Sequence, residues 1–168
     1  MDERSVSCCF TGHRPDKLPW GPDESDPRCL RLKAELAARL EGIYEAGYRR
    51  FLCGMAVGCD LYFAEAVLAL RERFPDVRLE AAVPCDGQAA AWSLPLQRRY
   101  ERLLAECDEV RFVQHKYTPG CMQRRNQYMV DASSLLLAVY DGRRGGTMST
   151  LLYAKRQGLK LIVIELQT

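Results

Sequence analysis

The sequence is poor in the residues that mark several functional classes. It has only two histidines, His13 and His115, far apart in the chain, and none of its eight cysteines forms a C-x-x-C pair. A zinc cage therefore has little support. No apolar run approaches the ~18 residues of a membrane span, and Met1-Asp2-Glu3-Arg4 carries no signal-peptide pattern. A reducing, cytoplasmic setting is expected, with the cysteines serving as small buried thiols. The dinucleotide fingerprint G-x-G-x-x-G is missing after the first apolar run, and the P-loop pattern G-x-x-x-x-G-K-[ST] is missing throughout. An ordinary Rossmann dehydrogenase and a P-loop NTPase are thereby excluded. Charge of one sign is lacking too. A formal net charge of +2 on 168 residues neither demands nor forbids a nucleic acid, because a local basic patch can hide in a balanced total.

What is present is a regular alternation. Short apolar runs at 5–10, 49–54, 77–83, 109–113, 134–140 and 159–165 read as strands. Helical patterns separate them, over roughly 27–46, 59–74, 94–106, 120–132 and 146–157. Asp26-Pro27 supplies an N-cap acceptor and a proline for the first helix, whose apolar stripe is Cys29, Leu32, Leu36, Leu40 and Ile43. In the second helix Leu61, Ala64, Val67 and Leu68 point inward. The pattern predicts one domain over residues 1–168, a doubly wound α/β fold. Its single, mostly parallel sheet has about six strands, with helices on both faces. The unbroken apolar runs suit strands buried on both sides, with 134–140 the most apolar and hence central.

Ligands of such sheets bind at the carboxyl ends of the strands. The residues there are Thr11-Gly12-His13-Arg14 after the first strand, and Gly54 to Asp60 after the second. After the fifth come Asp141-Gly142-Arg143-Arg144-Gly145-Gly146-Thr147. Glycines at a helix start let backbone N–H groups approach an anion, and Thr147, Ser149 and Thr150 add hydroxyls. A single glycine-rich turn is as readily a plain βα connection, but two at one sheet edge favour a phosphate site. Asp60 has two readings, a helix cap or a ribose acceptor. Asn126, beside the inward stripe Met122, Met129 and Val130, either ties down a loop or faces the ligand. Arg14, Arg124, Arg125, Arg143 and Arg144 are rim candidates for phosphate, although Arg124 and Arg125 are more commonly solvated. For His13 loop capping is favoured over acid–base work, no partner carboxylate being visible. Trp92 either packs or stacks on a base.

The ordered set TGHRP, GMAVGCD, Gln88 with Trp92, GCMQRRNQYMVD and AVYDGRRGGT resembles the YpsA-like branch of the SLOG superfamily, from residue 8 to about 164. The resemblance implies a bacterial, Rossmann-like protein that binds a nucleotide or nucleotide-derived ligand, ADP-ribose among the candidates, as a sensor or regulator. Thr11, Gly12, His13, Arg14, Gly54, Gly58, Asp60, Asn126, Asp131, Gly142, Arg143, Gly145, Gly146, Thr147 and Thr150 would form the ligand site. It also implies a homodimer. Two related groups supply alternatives. GMAVGCD with the later GGT turn is similar to DNA-processing protein A, which binds single-stranded DNA, but basic residues interleaved with aromatics are few here. The LOG phosphoribohydrolases carry a glutamate where this chain has Thr150. A threonine cannot stand in for a carboxylate in proton transfer, so that activity is not carried over. Cleavage of a nucleotide at its N-glycosidic or phosphoanhydride bond stays an alternative that ranks below binding; it needs a pocket carboxylate, for which Asp60, Asp131, Asp141 and Glu65 are the nearby options, Glu65 lying one or two helical turns deeper.

Overall fold

The computed structural model describes residues 2–166. Six strands alternate with five helices: β1 (Ser7–Thr11), α1 (Pro27–Glu45), β2 (Arg50–Cys53), α2 (Cys59–Arg73), β3 (Arg78–Val83) and α3 (Leu94–Glu106) form the first half. The second half is β4 (Glu109–Phe112), α4 (Cys121–Asp131), β5 (Leu135–Tyr140), α5 (Gly146–Arg156) and β6 (Lys160–Glu165). Short 3-10 turns at Glu3–Val6 and Pro15–Lys17 were not legible as elements. The first shortens the run expected at 5–10, so that β1 begins at Ser7.

Local chemistry sets the helix ends. Asp26 accepts the Arg28 N–H at 2.8 Å, and Pro27 occupies the first position of α1. The stripe Cys29, Leu32, Leu36, Leu40 and Ile43 is buried as its spacing requires. In α2 burial is broader than one stripe. Cys59 to Ala64 are all buried, while Leu68 is only partly so.

The strand order is β4-β3-β2-β1-β5-β6, and every pair is parallel. Side chains alternate across the sheet. Cys8, Phe10, Leu135 and Leu137 join the core under α1, α2 and α3. Cys9, Leu52 and Leu136 face Met129 and Val130 of α4 and Ala154 of α5. β5 is interior, one strand from the edge, while β1 and β2 are the middle pair. The expectation of burial on both sides fails at the edges: β4 is exposed along its length and β6 along most of it. An apolar run alone does not distinguish an edge strand from a central one.

The chain steps outward from β1 to β4, then crosses back to place β5 on the other side of β1. The loops after β1 and β5 therefore diverge to opposite faces. A crevice opens between neighbouring strands at such a reversal.

Candidate ligand site at the β1–β5 reversal

A cleft of about 170 Å³ lies at this reversal. Its walls come from the β1 loop, the start of α2, the inner face of α4 and the first turn of α5. Eight of the expected residues line it: Thr11, Gly12, His13, Arg14, Asp60, Asn126, Gly146 and Thr147.

The two helix N-termini at the cleft differ. At the α2 end the Cys59 N–H donates to His13 O at 3.2 Å, and Asp60 Oδ2 accepts the Ala56 N–H at 3.0 Å. Asp60 thus pins the preceding loop rather than capping its own helix. Burial pushes the Asp60 carboxyl up, against the opposing pull of Arg125, the Ala56 N–H and Arg14. The α5 end carries no side-chain cap, and Gly146 opens into the cleft. Its leading N–H groups lie beyond the reach of intrahelical carbonyls, and the helix dipole adds positive potential there.

Arg125 is the main residue that the sequence reading undervalued. It is 4% exposed and donates to Gly54 O at 2.6 Å and to Asn126 Oδ1 at 2.8 Å. Burial pulls its pKa down while Asp60 pulls it up, and a guanidinium stays charged under such perturbation. The spacing of Cys121, Arg125 and Met129 was the available signal: these form the buried face, with Met122 only partly covered. Lys17 also lines the cleft, its Nζ 3.5 Å from Arg144 O, so the β1 loop reaches across to the β5 loop. Nothing in the local sequence marks that contact.

His13 has a carboxylate neighbour after all. Its Nε2 lies 3.0 Å from Asp141 Oδ1, with the two side chains 2% and 1% exposed. The approach is close but poorly aligned: His13 Nε2 and Asp141 Oδ2 are both buried without a hydrogen bond among the described residues. Burial disfavours the charged Asp141, but the Arg143 N–H at 2.9 Å and the His13 ring outweigh it and hold the carboxyl below its ordinary value. The partner sits 128 positions away in the chain, which no local pattern reveals.

The other expected residues stand elsewhere. A Cβ on Gly54 would strike the Arg125 guanidinium, and one on Gly58 would come within 2.8 Å of His13 O. Both glycines serve close packing beneath the cleft, and Gly58 has φ +96° besides. Asp131 is exposed at the far end of α4 and accepts the Tyr153 hydroxyl at 2.7 Å. Gly142 and Arg143 lie in an exposed turn. Gly145 backs onto Lys17. Thr150 donates to Gly146 O at 2.8 Å, one turn back in its own helix. Glu65 is engaged by Arg99 and Arg102 away from the cleft.

Two hollows adjoin the cleft. One, of about 260 Å³, shares Arg14, Ala56 and Met122 with it and is lined by Gln88 and Trp92. Trp92 meets Tyr100 edge-on, and Gln88 Nε2 donates to Gly54 O and Met55 O at 3.3 and 3.4 Å. Gln88 Oε1 is buried with no hydrogen-bond partner among the described residues. Met55 beneath holds a left-handed φ of +59°, a conformation costing a residue with a side chain about 1–3 kcal/mol. The second hollow, about 250 Å³, runs between α4 and α5 and shares Asn126 and Gly146 with the cleft.

All eight cysteines are free, and seven are buried. Burial pushes the Cys9 and Cys107 thiols up to about 12, which leaves them little nucleophilic character. No helix among the described residues is long and apolar enough to cross a membrane.

Known proteins share this architecture. YoqJ, an uncharacterised SPbeta prophage-derived protein of Bacillus subtilis (strain 168), is 33% identical over 144 residues, 78% of this chain and 84% of its own length. The UPF0398 protein YpsA of the same strain is 29% identical over 146 residues, 85% of this chain and 80% of its own. Among solved structures, DNA processing protein A from Helicobacter pylori, described for its single-stranded DNA binding mode, has a TM-score of 0.65. Its identity is 14%, over 98% of this chain and 67% of that one. The Streptococcus pneumoniae protein of the same name gives 0.62 and 14%, over 98% of this chain and only 52% of its own length. At such identity these two share the fold. The model of the YspA SLOG family matches residues 8–161, and the chain belongs to that family.

Proposed function

We propose that the protein binds a nucleotide or nucleotide-derived ligand, with its phosphate between the β1 loop and the first turn of α5, and acts through that binding as a sensor or regulator. The observation that carries this reading is the uncapped start of α5 opening into a cleft that Arg14 and Lys17 line, with Arg125 behind. Backbone N–H groups, a helix dipole and cationic side chains line the same cleft, which is chemistry suited to a phosphate. Thr147 and Asn126 add polar groups at its edge, and Asp60 offers a carboxylate suited to a ribose hydroxyl.

Single-stranded DNA is the second reading. It is favoured by the fold shared with DNA processing protein A, whose Helicobacter pylori form binds such strands. The compact cleft ranks it lower, since a strand requires cationic contacts along a track.

Calorimetric titration with AMP, ADP-ribose, NAD and oligo-dT tests both. Binding of a mononucleotide or ADP-ribose that changes little between 50 and 200 mM salt supports the first reading. Binding of oligo-dT alone, falling steeply over that range, replaces it with the second. Silence toward the whole panel refutes the nucleotide site. Product analysis of the same mixtures reads out any hydrolysis.

A further inference from the structure

We infer that the ligand consists of two nucleosides joined through phosphate, the second nucleoside lying in the groove between α4 and α5. This rests on the nucleotide reading above and specifies its ligand. The first argument is size. The cleft and its two hollows measure about 170, 260 and 250 Å³. Each is smaller than the ~300–1,000 Å³ of an ordinary small-molecule site, and the three together fall within that range.

The second argument is connection. Gly146 and Asn126 belong to both the cleft and the α4–α5 groove. A phosphate at the start of α5 therefore sits at a junction. One exit leads past Arg14 and Met122 to Gln88 and Trp92, and the other runs along α5. A mononucleotide fills one exit. A phosphate-bridged pair fills both.

The third argument is the groove's chemistry. Tyr153 and Leu152 line it, Leu152 at 46% exposure. Gln123 and Gln127 supply amides from α4. The Tyr153 hydroxyl is held by Asp131 at 2.7 Å, so the aspartate expected from the sequence to touch ligand positions an aromatic ring instead. Arg156 stands 5.9 Å from that ring. An aromatic wall with amides opposite suits a base, which presents a π-face and hydrogen-bonding edges. From Gly146 to Arg156 the helix rises about 15 Å, ample for one nucleoside.

The same chemistry occurs in a free dinucleotide and in one step of a single strand. Titrations with AMP, NAD, the dinucleotide pdTpdT and a twelve-residue oligo-dT separate them. They are made on the native protein and on two variants confined to the groove, Gln127→Trp, which fills it, and Tyr153→Leu, which removes the ring. Native protein is expected to hold NAD at least about tenfold more tightly than AMP. Each variant should bring NAD down to the AMP level and leave AMP within about twofold. Equal native affinity for AMP and NAD overturns the inference while leaving the nucleotide site standing. So does undiminished NAD binding in both variants, or equal loss of AMP and NAD. If neither AMP nor NAD binds the native protein, this inference fails, and the underlying nucleotide reading falls with it when ADP-ribose is silent too. Oligo-dT held far more tightly than pdTpdT, with steep salt loss, identifies the strand as the source; equal affinity identifies the free dinucleotide.

Discussion

Replacement of Gly146 by aspartate separates ligand binding from folding. Gly146 is the first residue of α5, and a Cβ there meets nothing within 4 Å. The new side chain fits without displacing anything. A carboxylate in a first helical turn is favourable to the dipole by about 0.3–1 kcal/mol. The unliganded variant should therefore melt at or slightly above the native temperature. A ligand phosphate at the same helix start meets the new charge. At ~4 Å two like charges repel by about 1 kcal/mol in bulk water and about 4 kcal/mol near a protein surface. Affinity should thus fall by roughly 5- to 1,000-fold, with about 100-fold as the central value. A ligand at 100 times its native dissociation constant stabilises the native protein by about 2.7 kcal/mol, which is about 5–11 °C for a chain of this size. In the variant the same concentration equals the dissociation constant, and the shift shrinks to roughly 1 °C. The assay is a paired thermal melt, with and without ligand, backed by calorimetry. A folded variant with undiminished affinity would show that the phosphate is not at α5. The neighbour gives the contrast: Gly145 has φ +152°, a backbone conformation that residues with side chains rarely adopt, so Gly145→Asp should lose stability as well as binding.

Other residues give sharp expectations. Glu80, 2% exposed within the sheet, pairs with Arg50 at 2.7 Å and accepts the Tyr128 hydroxyl at 3.1 Å. Glu80→Ala leaves a buried guanidinium unpaired and should cost about 3–5 kcal/mol in urea denaturation; a loss under 1 kcal/mol would show that water reaches the pair. Gly58→Ala forces a side chain into a left-handed backbone against His13 O and should lower the melting temperature, whereas Gly42→Ala, with open space in α1, should raise stability by about 0.5–1 kcal/mol. Asp141 is depressed in the folded state, so its stabilisation is present above the unfolded carboxyl value of about 3.9 and is lost as pH falls through the lower folded value. Asp141→Asn should therefore melt below the native protein at pH 7, with the gap closing as the pH drops below about 4. A gap that persists in acid would assign the loss to packing rather than charge.

The fold was legible because its signals are local. Apolar runs of strand length, the Asp26-Pro27 start and the Cys29–Ile43 stripe each follow from a few neighbouring residues. Edge positions were not legible, since exposure of β4 and β6 depends on what lies beside a strand rather than on the strand itself. The site divides in the same way. Thr11 to Arg14 and Gly146-Thr147 follow directly from being next to strand ends. Gly54 and Gly58 satisfy the same rule, yet both are consumed by close packing, because a glycine admits a guanidinium or a carbonyl as readily as a ligand. Arg125 and Asp141 work from a distance in sequence, through a helix face and a crossover.

The reversal of strand order explains why these distant pieces converge. β1 has β2 on one side and β5 on the other, and the helices that follow β1 and β5 leave to opposite faces. Neither helix covers the strand ends between them, so the β1 loop and the first turn of α5 face one another across an open gap. α4, arriving from the far edge, closes the gap from one side and presents Arg125 and Asn126 to it. At the α2 end the Cys59 N–H is taken up by His13 O, whereas at the α5 end the leading donors have no side-chain cap. The phosphate proposed above would answer those donors. Because Arg125 holds Gly54 O while lining the cleft, an anion bound there as proposed would be coupled to the loop after β2. The Gln88 amide holds the same carbonyl, so one oxygen links the cleft to the Trp92 hollow. Under the proposed function, a ligand that draws Arg125 toward its phosphate would loosen that carbonyl and shift Gln88 with it, and so carry binding at the cleft to the neighbouring surface.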